Sequence, residues 1–319
     1  MSKLITFGPI PSRRLGRSLG INNIPPKICS YSCVYCQLGR TLKLQTARQI
    51  FYSPEEIFQA VDGKIKAARR SKEPIDFLTF VPDGEPTLDL NLGKEIEQLK
   101  AFGCKIAVIS NSSLIWDKEV RADLNRADWA SLKIDALSED TWRKINRPQR
   151  ALRLEQILEG IKLFVGDFKG FLATETMLIQ GLNDTQEELE KIAEFIRALG
   201  VEKSYILIPT RPPAEGWVRP ASERFVTAAY EFFQRKAIPT EYLIGYEGDA
   251  FAFTGNAEED LLSITSVHPM RGEAVRAFLE KARADWDVVR RLIQEDQLIE
   301  VEYENKKFYL RKLRSPRKK

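Results

Sequence analysis

No apolar run in the 319 residues approaches the roughly 20 needed to cross a bilayer, and the chain has only four cysteines and one histidine. The first absence excludes a helical membrane span. The opening MSKLITFGPIPSRR also lacks the unbroken apolar stretch and small-residue cleavage site of a secretory signal. A cytoplasmic setting with no membrane partner is expected, and there thiols stay reduced, so clustered cysteines point to metal rather than to disulfides. Acidic residues are missing from both ends. None precedes Glu55, while Lys3, Arg13, Arg14, Arg17, Lys27, Arg40, Lys43 and Arg48 are basic; none follows Glu304, while Lys306, Lys307, Arg311, Lys312, Arg314, Arg317, Lys318 and Lys319 are basic. The net charge is only +4, so the middle must be net acidic. Such ends suit an anionic partner or cofactor; for the last residues, SPRKK, a solubilising tail accounts for the charge equally well.

What is present is a β-α succession. Strand-like runs IDFLTFV, CKIAVISNS, WASLKIDAL, FLATETMLI and SYILIPT alternate with helical patterns, the first opened by Ser53-Pro54-Glu55-Glu56 with Ser as N-cap and Pro at the first helical position. About six units fit before residue 250, which predicts a parallel sheet forming a partial (β/α)6 TIM-like barrel or a doubly wound sheet. From about Ala257 the pattern changes to two helices and a hairpin around Glu304-Asn305, resembling the closing half of a winged helix. The expected division is 1–255 for the barrel and 256–319 for a small recognition domain with a basic tail.

Three of the four cysteines, Cys29, Cys33 and Cys36, fall in KICSYSCVYCQLGR at the spacing C-x3-C-x2-C. Three thiolates can hold a tetrahedral zinc with a fourth ligand, or three corners of an iron-sulfur cubane. His268 lies some 230 residues away and Cys104 in a strand-like stretch, so no fourth protein ligand is near in sequence. An iron left with an open position for a small molecule answers the count better than structural zinc or a saturated ferredoxin-type cluster.

C-x3-C-x2-C with Tyr35 before the third cysteine resembles the signature of the radical S-adenosylmethionine superfamily. The resemblance implies a [4Fe-4S] cluster on Cys29, Cys33 and Cys36, with the amine and carboxylate of S-adenosyl-L-methionine on the fourth iron. An external one-electron donor would reduce the cluster, and cleavage of the sulfonium would give a 5′-deoxyadenosyl radical that takes hydrogen from a substrate, in an oxidoreductase or transferase. Further motifs follow in order. Asp83-Gly84-Glu85-Pro86 resembles the family's Gly-Gly-Glu-Pro turn, with Asp83 in place of the first glycine, the residue that reaches positive φ freely. Ser110-Asn111 ends the next strand, where relatives carry small polar residues near the cofactor. In SLKIDA, Ser131, Lys133 and Asp135 alternate and share one strand face; on an inner face such charges need partners, which a zwitterionic ligand supplies. Glu175 resembles a polar position near the ribose, and Gly181-Leu182-Asn183-Asp184 the family's Gly-x-Asn-Asp ending, with Asn183-Asp184-Thr185 also opening a helix. Each of these also has a plainer reading as turn, cap or solvated face. The opening GPIPSRRLGRSLGINN looks like a subgroup of stand-alone iron-sulfur oxidoreductases related to the wybutosine-synthesis enzyme acting on tRNA and to glycyl-radical activating enzymes.

Chemistry in α/β barrels gathers at the carboxyl ends of the strands. That places Arg211, in IPTRPP, near the same mouth as a candidate for an anionic substrate group, or as a brace for its proline-rich loop. The winged-helix-like end favours a macromolecular substrate, RNA ahead of protein. A peptide or protein partner is the alternative, since Glu300, Glu302 and Glu304 would repel phosphate. A non-catalytic iron-sulfur or zinc scaffold is a second.

Overall fold

The structure, a computed structural model, describes residues 5–244 and 251–312; Lys3 and the basic tail beyond Lys312 lie outside the described residues. The chain opens with an antiparallel pair, β1 (Thr6–Ser12) and β2 (Gly16–Ile21). A long loop follows, carrying two-residue parallel strands β3 (Ile28–Cys29) and β4 (Lys43–Leu44). The repeating part then runs α1 (Pro54–Arg70), β5 (Phe77–Phe80), α2 (Leu92–Leu99), β6 (Lys105–Ser110), α3 (Lys118–Leu124), β7 (Trp129–Lys133), α4 (Glu139–Asn146), α5 (Leu154–Asp167), β8 (Phe171–Met177), α6 (Gln186–Leu199), β9 (Lys203–Leu207), α7 (Glu223–Arg235) and β10 (Thr240–Tyr242). The sheet order is β1-β2-β5-β6-β7-β8-β9-β10, parallel from β2 onward. Each parallel neighbour is therefore reached through a helical crossover, giving six β-α units that run out at β10, a partial TIM-like barrel.

Alternation along the strands separates two layers. Leu78, Phe80, Ile106, Val108, Ala130, Leu132, Leu172 and Ile206 pack outward against the helices. Ala107, Trp129, Ala173 and Tyr205 point inward with Leu15 and Leu243. Because both faces are covered, the strands read as nearly continuous apolar runs. Local signals set the helix starts. Ser53 and Glu56 form a reciprocal capping box on α1 with Pro54 at its first position, and Thr185 caps α6 by accepting from Glu188 N at 3.3 Å.

The C-terminal segment builds its own core from Leu261, Ile264, Val275, Phe278, Val289, Leu292, Leu298 and Tyr309. Its elements are α8 (Ala257–Val267), β11 (Met270–Arg271), α9 (Gly272–Ala282), α10 (Asp287–Gln294), β12 (Leu298–Tyr303) and β13 (Lys306–Arg311), with strand order β11-β13-β12. Glu304 and Asn305 both have positive φ, 49° and 57°, as a two-residue hairpin turn requires. The sequence pattern shows only α9, α10 and the hairpin. It misses α8 because Asp260 to Val267 is buried on every side, between its own segment and β1, and so has no polar face to reveal a helical period. Asp260 answers its burial by accepting from Lys64 Nζ at 2.7 Å and Thr254 N at 2.6 Å.

Two helical glycines test the packing in opposite directions. A Cβ on Gly160 of α5 would stand 2.6 Å from Trp116 N and 2.7 Å from the Ile115 carbonyl, whereas one on Gly63 of α1 meets nothing within 4 Å. Gly160→Ala is expected to destabilise the protein by about 1–3 kcal/mol, and Gly63→Ala to stabilise it by roughly 0.5–1 kcal/mol; shifts of the urea midpoint in opposite senses check the pair.

Candidate active site

The cysteine loop leaves β2 and crosses the carboxyl ends of the strands. It is built from successive turns, Cys36 N donating to Cys33 O at 3.1 Å and Gly39 N, with φ 81°, to Cys36 O at 3.0 Å. The end of α4 holds it from below: Ser32 N donates to Asn146 O at 3.0 Å and Val34 N to Ile145 O at 2.9 Å, while Val34, Ile145, Ile179 and Val218 make a small apolar floor. Glu215, 6% exposed, clamps the far side. Its carboxylate accepts from Arg40 Nε at 2.9 Å and Arg147 Nη1 at 2.5 Å, and its amide donates to Val34 O at 3.1 Å.

The Asp83-Gly84-Glu85-Pro86 turn presses against this loop. A Cβ on Gly84 would lie 1.8 Å from the Ile28 carbonyl oxygen, next to Cys29, so only glycine fits. The glycine requirement lies there and not at residue 83, since Asp83 is not among the residues with positive φ. Glu85 is buried and spends both carboxylate oxygens on neighbours: Oε1 accepts from Ser110 Oγ at 2.8 Å and Thr87 Oγ1 at 2.7 Å, and Oε2 from Asn111 N at 2.7 Å. Burial raises its pKa and these donors oppose the rise. Asn111, thus oriented, donates through Nδ2 to Ser30 Oγ at 2.9 Å and Cys29 Sγ at 3.4 Å. Asn146 does the same for Cys33, at 3.5 Å, and for Asp135 Oδ2, at 2.8 Å.

A cavity of about 300 Å³ opens between the loop and the strand ends. Of the residues singled out in the sequence, Cys29, Cys33, Cys36, Tyr35, Gly84, Glu85, Ser110, Asn111, Lys133, Glu175 and Arg211 line it. Ser131 and Asp135 do not; they stand behind the wall. Ser131 Oγ donates to Glu175 Oε1 at 2.8 Å, while Asp135 accepts from the Tyr35 hydroxyl and, at 2.9 Å, from Met177 N. Lys133 Nζ lies 3.6 Å from Asp135 Oδ1 and 4.9 Å from the centre of the Tyr35 ring. Burial alone would raise the Glu175 pKa, but Arg14, which pairs with it, and Lys133 hold it below the ordinary carboxylate range. Asn183, of the Gly-x-Asn-Asp ending, is a brace: its Nδ2 donates to Asp135 O and Met177 O, both at 2.8 Å.

Burial pushes all three thiols up, Cys33 to about 12 with the Asp135 charge adding to it, and Cys29 well above the ordinary thiol value. Among the described residues no three His, Cys, Asp or Glu side chains converge on one position that a single metal ion could take. A cubane makes no such demand, because each cysteine ligates its own iron. Three buried thiols, two of them accepting an amide N–H, and a glycine cradle against the first form a donor set that fits such a cluster. Several lining residues were not legible in advance. Arg14 and Lys27 enter the cavity from a run with no acid to mark their partners, and Asn146 reaches Cys33 from 113 positions away. His268, remote in sequence, is close in space: its Nε2 lies 3.0 Å from Arg211 Nη2, and Arg211 Nη1 donates to Gln37 Oε1 at 3.0 Å, the side chain next to Cys36.

These features define a radical S-adenosylmethionine enzyme. A family model described as the radical SAM superfamily matches residues 23–196, and the chain belongs to that superfamily. More particularly, it is 47% identical to a UPF0026 protein of Methanocaldococcus jannaschii over 98% of this chain and 97% of that one. It is 26% identical to a protein of Petrotoga mobilis named as the dual-specificity RNA methyltransferase RlmN, over 66% of this chain and 59% of the relative. Among solved structures, TYW1 with a lysine-pyruvate adduct bound superposes with a TM-score of 0.52 at 19% identity, covering 69% of this chain and 73% of that one, a likeness of fold. The superfamily implies S-adenosylmethionine and an iron-sulfur cluster as cofactors.

Gly84→Ala is expected to lower iron affinity about 10–100-fold while leaving the barrel folded, because the added methyl displaces Ile28 and with it Cys29. Iron and sulfide content after anaerobic reconstitution, alongside circular dichroism, checks it.

Proposed function

We propose that the protein uses one [4Fe-4S] cluster, held by Cys29, Cys33 and Cys36, and bound S-adenosyl-L-methionine to modify RNA by hydrogen abstraction. The observation that carries the reading is the convergence of the three thiols, the Asp83–Pro86 turn and the Lys133–Glu175 wall on one cavity at the carboxyl ends of the strands. When bound, the cluster and the sulfonium compound supply a 5′-deoxyadenosyl radical; an external one-electron donor is required. The chain's own residues bind and orient. Gly84 leaves room for a close backbone approach, and Lys133 and Glu175 offer one charge of each sign to a zwitterion carrying a ribose. Tyr35 is fixed by Asp135 and lies beneath the Lys133 ammonium. Glu85 acts through Ser110 and Asn111, Ser131 through Glu175, and Asp135 through Tyr35 and Asn146. Arg211 is the substrate-side residue, reaching the mouth between Gln37 and His268.

Residues 1–255 then constitute the catalytic barrel and 256–319 a winged-helix-like recognition domain. RNA is favoured by the basic residues at the mouth and by the kinship with a protein named as an RNA methyltransferase. The objection raised by Glu300 is weakened, since Lys307 Nζ lies 2.8 Å from its Oε1. A peptide or protein substrate keeps one argument of its own, the exposed Glu302 and Glu304 on the same hairpin.

Two measurements test the proposal. Anaerobically reconstituted protein given dithionite and S-adenosylmethionine is expected to form 5′-deoxyadenosine, and Cys33→Ala is expected to form none; zinc in place of iron in protein purified without air would instead make the chain a scaffold. Mobility shifts with tRNA are expected to show affinity falling steeply between 50 and 200 mM salt, by about 10³-fold for six phosphate contacts. No binding at low salt would reject RNA and leave the peptide reading.

A further inference from the structure

Three charged side chains beside the cysteine loop are left over once the hydrogen bonds of the cavity are assigned. Asp83 is 2% exposed, lines the cavity, and neither of its carboxylate oxygens has a hydrogen-bond partner. Lys27, also in the lining, is locked to it through the backbone: the Lys27 amide donates to Asp83 O at 2.6 Å, and the Lys27 backbone is left-handed, φ 63°. Arg311 ends β13, in the C-terminal segment; it is partly buried, and its charge acts on Asp83 across the boundary with the barrel. Among the described residues, neither the Lys27 ammonium nor the Arg311 guanidinium has a hydrogen-bond or ion-pair partner.

A buried carboxylate with no donor is costly, and in a native structure it calls for an explanation. The explanation must also satisfy two cations. An isolated ammonium group would be repelled by both, and an isolated carboxylate would leave Asp83 unanswered. A group with one negative charge and a hydroxyl beside it meets all three, and a phosphodiester next to a ribose 2′-hydroxyl is such a group. We propose that Lys27, Asp83 and Arg311 form a ribonucleotide subsite at the rim of the cysteine cavity, the two cations on one phosphodiester and the carboxylate on the neighbouring 2′-hydroxyl. The assignment rests on the RNA reading above and makes it specific. Part of the site comes from the C-terminal segment, and the feature distinguishing RNA from DNA is read by the residue standing where relatives carry the first glycine of the turn.

The test uses the full-length reconstituted protein, unfractionated tRNA over a salt series, and a single-stranded RNA with its DNA copy. Arg311→Gln and Lys27→Gln are each expected to weaken tRNA binding about 5- to 10-fold and to reduce the slope of log affinity against log salt by about 0.7–0.9. Asp83→Asn is expected to narrow the preference for RNA over DNA of the same sequence. Iron content and S-adenosylmethionine affinity, by equilibrium dialysis, should stay at wild-type values; if Lys27→Gln loses iron, Arg311→Gln, farther from the thiols, decides. Wild-type protein that binds no RNA would overturn this subsite together with the RNA reading. Variants with unchanged tRNA affinity and slope, or an unchanged RNA preference in Asp83→Asn, would overturn the subsite alone. Variants that lose S-adenosylmethionine rather than tRNA would overturn it too, assigning the three groups to the amino-acid portion of the cofactor.

Discussion

Between Gly84 and the carbonyl of Ile28 there is no room for a methyl group, and that contact sets the register of everything at the mouth of the barrel. It fixes the Asp83–Pro86 turn against the first cysteine. Once the turn is fixed, the Glu85 carboxylate can reach only Thr87, Ser110 and the Asn111 amide, and it orients Asn111 toward Cys29 in doing so. A buried carboxylate so fully engaged is a rigid connector, since leaving any of its donors unpaired would cost on the order of 1–3 kcal/mol. The strand ends, the turn and the cysteine loop are thereby three views of one assembly, and the cavity is the space they leave.

The second support is electrostatic and comes from outside the motifs. Glu215 gathers Arg40 from the cysteine loop and Arg147 from the end of α4, and its backbone holds Val34. Inside the barrel, Arg14 and Lys133 face Glu175, so that three charges sit in an otherwise apolar interior without an unopposed member. Charges placed there are tolerated because each is answered. The same accounting makes Asp83 conspicuous, for it lines the same cavity without a donor.

Much of this was readable from residue order. The β-α succession, the Ser53 cap and the hairpin at Glu304-Asn305 follow from local chemistry: period, capping and positive φ. The cysteine spacing and the Asp-Gly-Glu-Pro turn pointed to one another because motifs of this kind keep their order along the chain. What stayed hidden shares a physical cause, contact between segments far apart in sequence. Helix α8 was invisible because burial on all sides erases amphipathic periodicity. Asn146 and Arg14 carried no local mark, since their partners lie 113 and 161 positions away. The alternation Ser131, Lys133, Asp135 identified the face correctly but not the depth: only Lys133 reaches the cavity, and its neighbours hold up the wall.

The side chain following Cys36 also faces the other way. Gln37 Nε2 donates to Val267 O, the last carbonyl of α8, at 2.7 Å, and its Oε1 accepts from Arg211, which in turn meets His268. A single amide thus spans the junction between the thiols and the C-terminal segment, with no flexible linker between them. Cargo settling on that segment and tilting α8 would tug directly on the residue adjoining a cysteine, so arrival of the cargo and readiness of the thiols are mechanically one event.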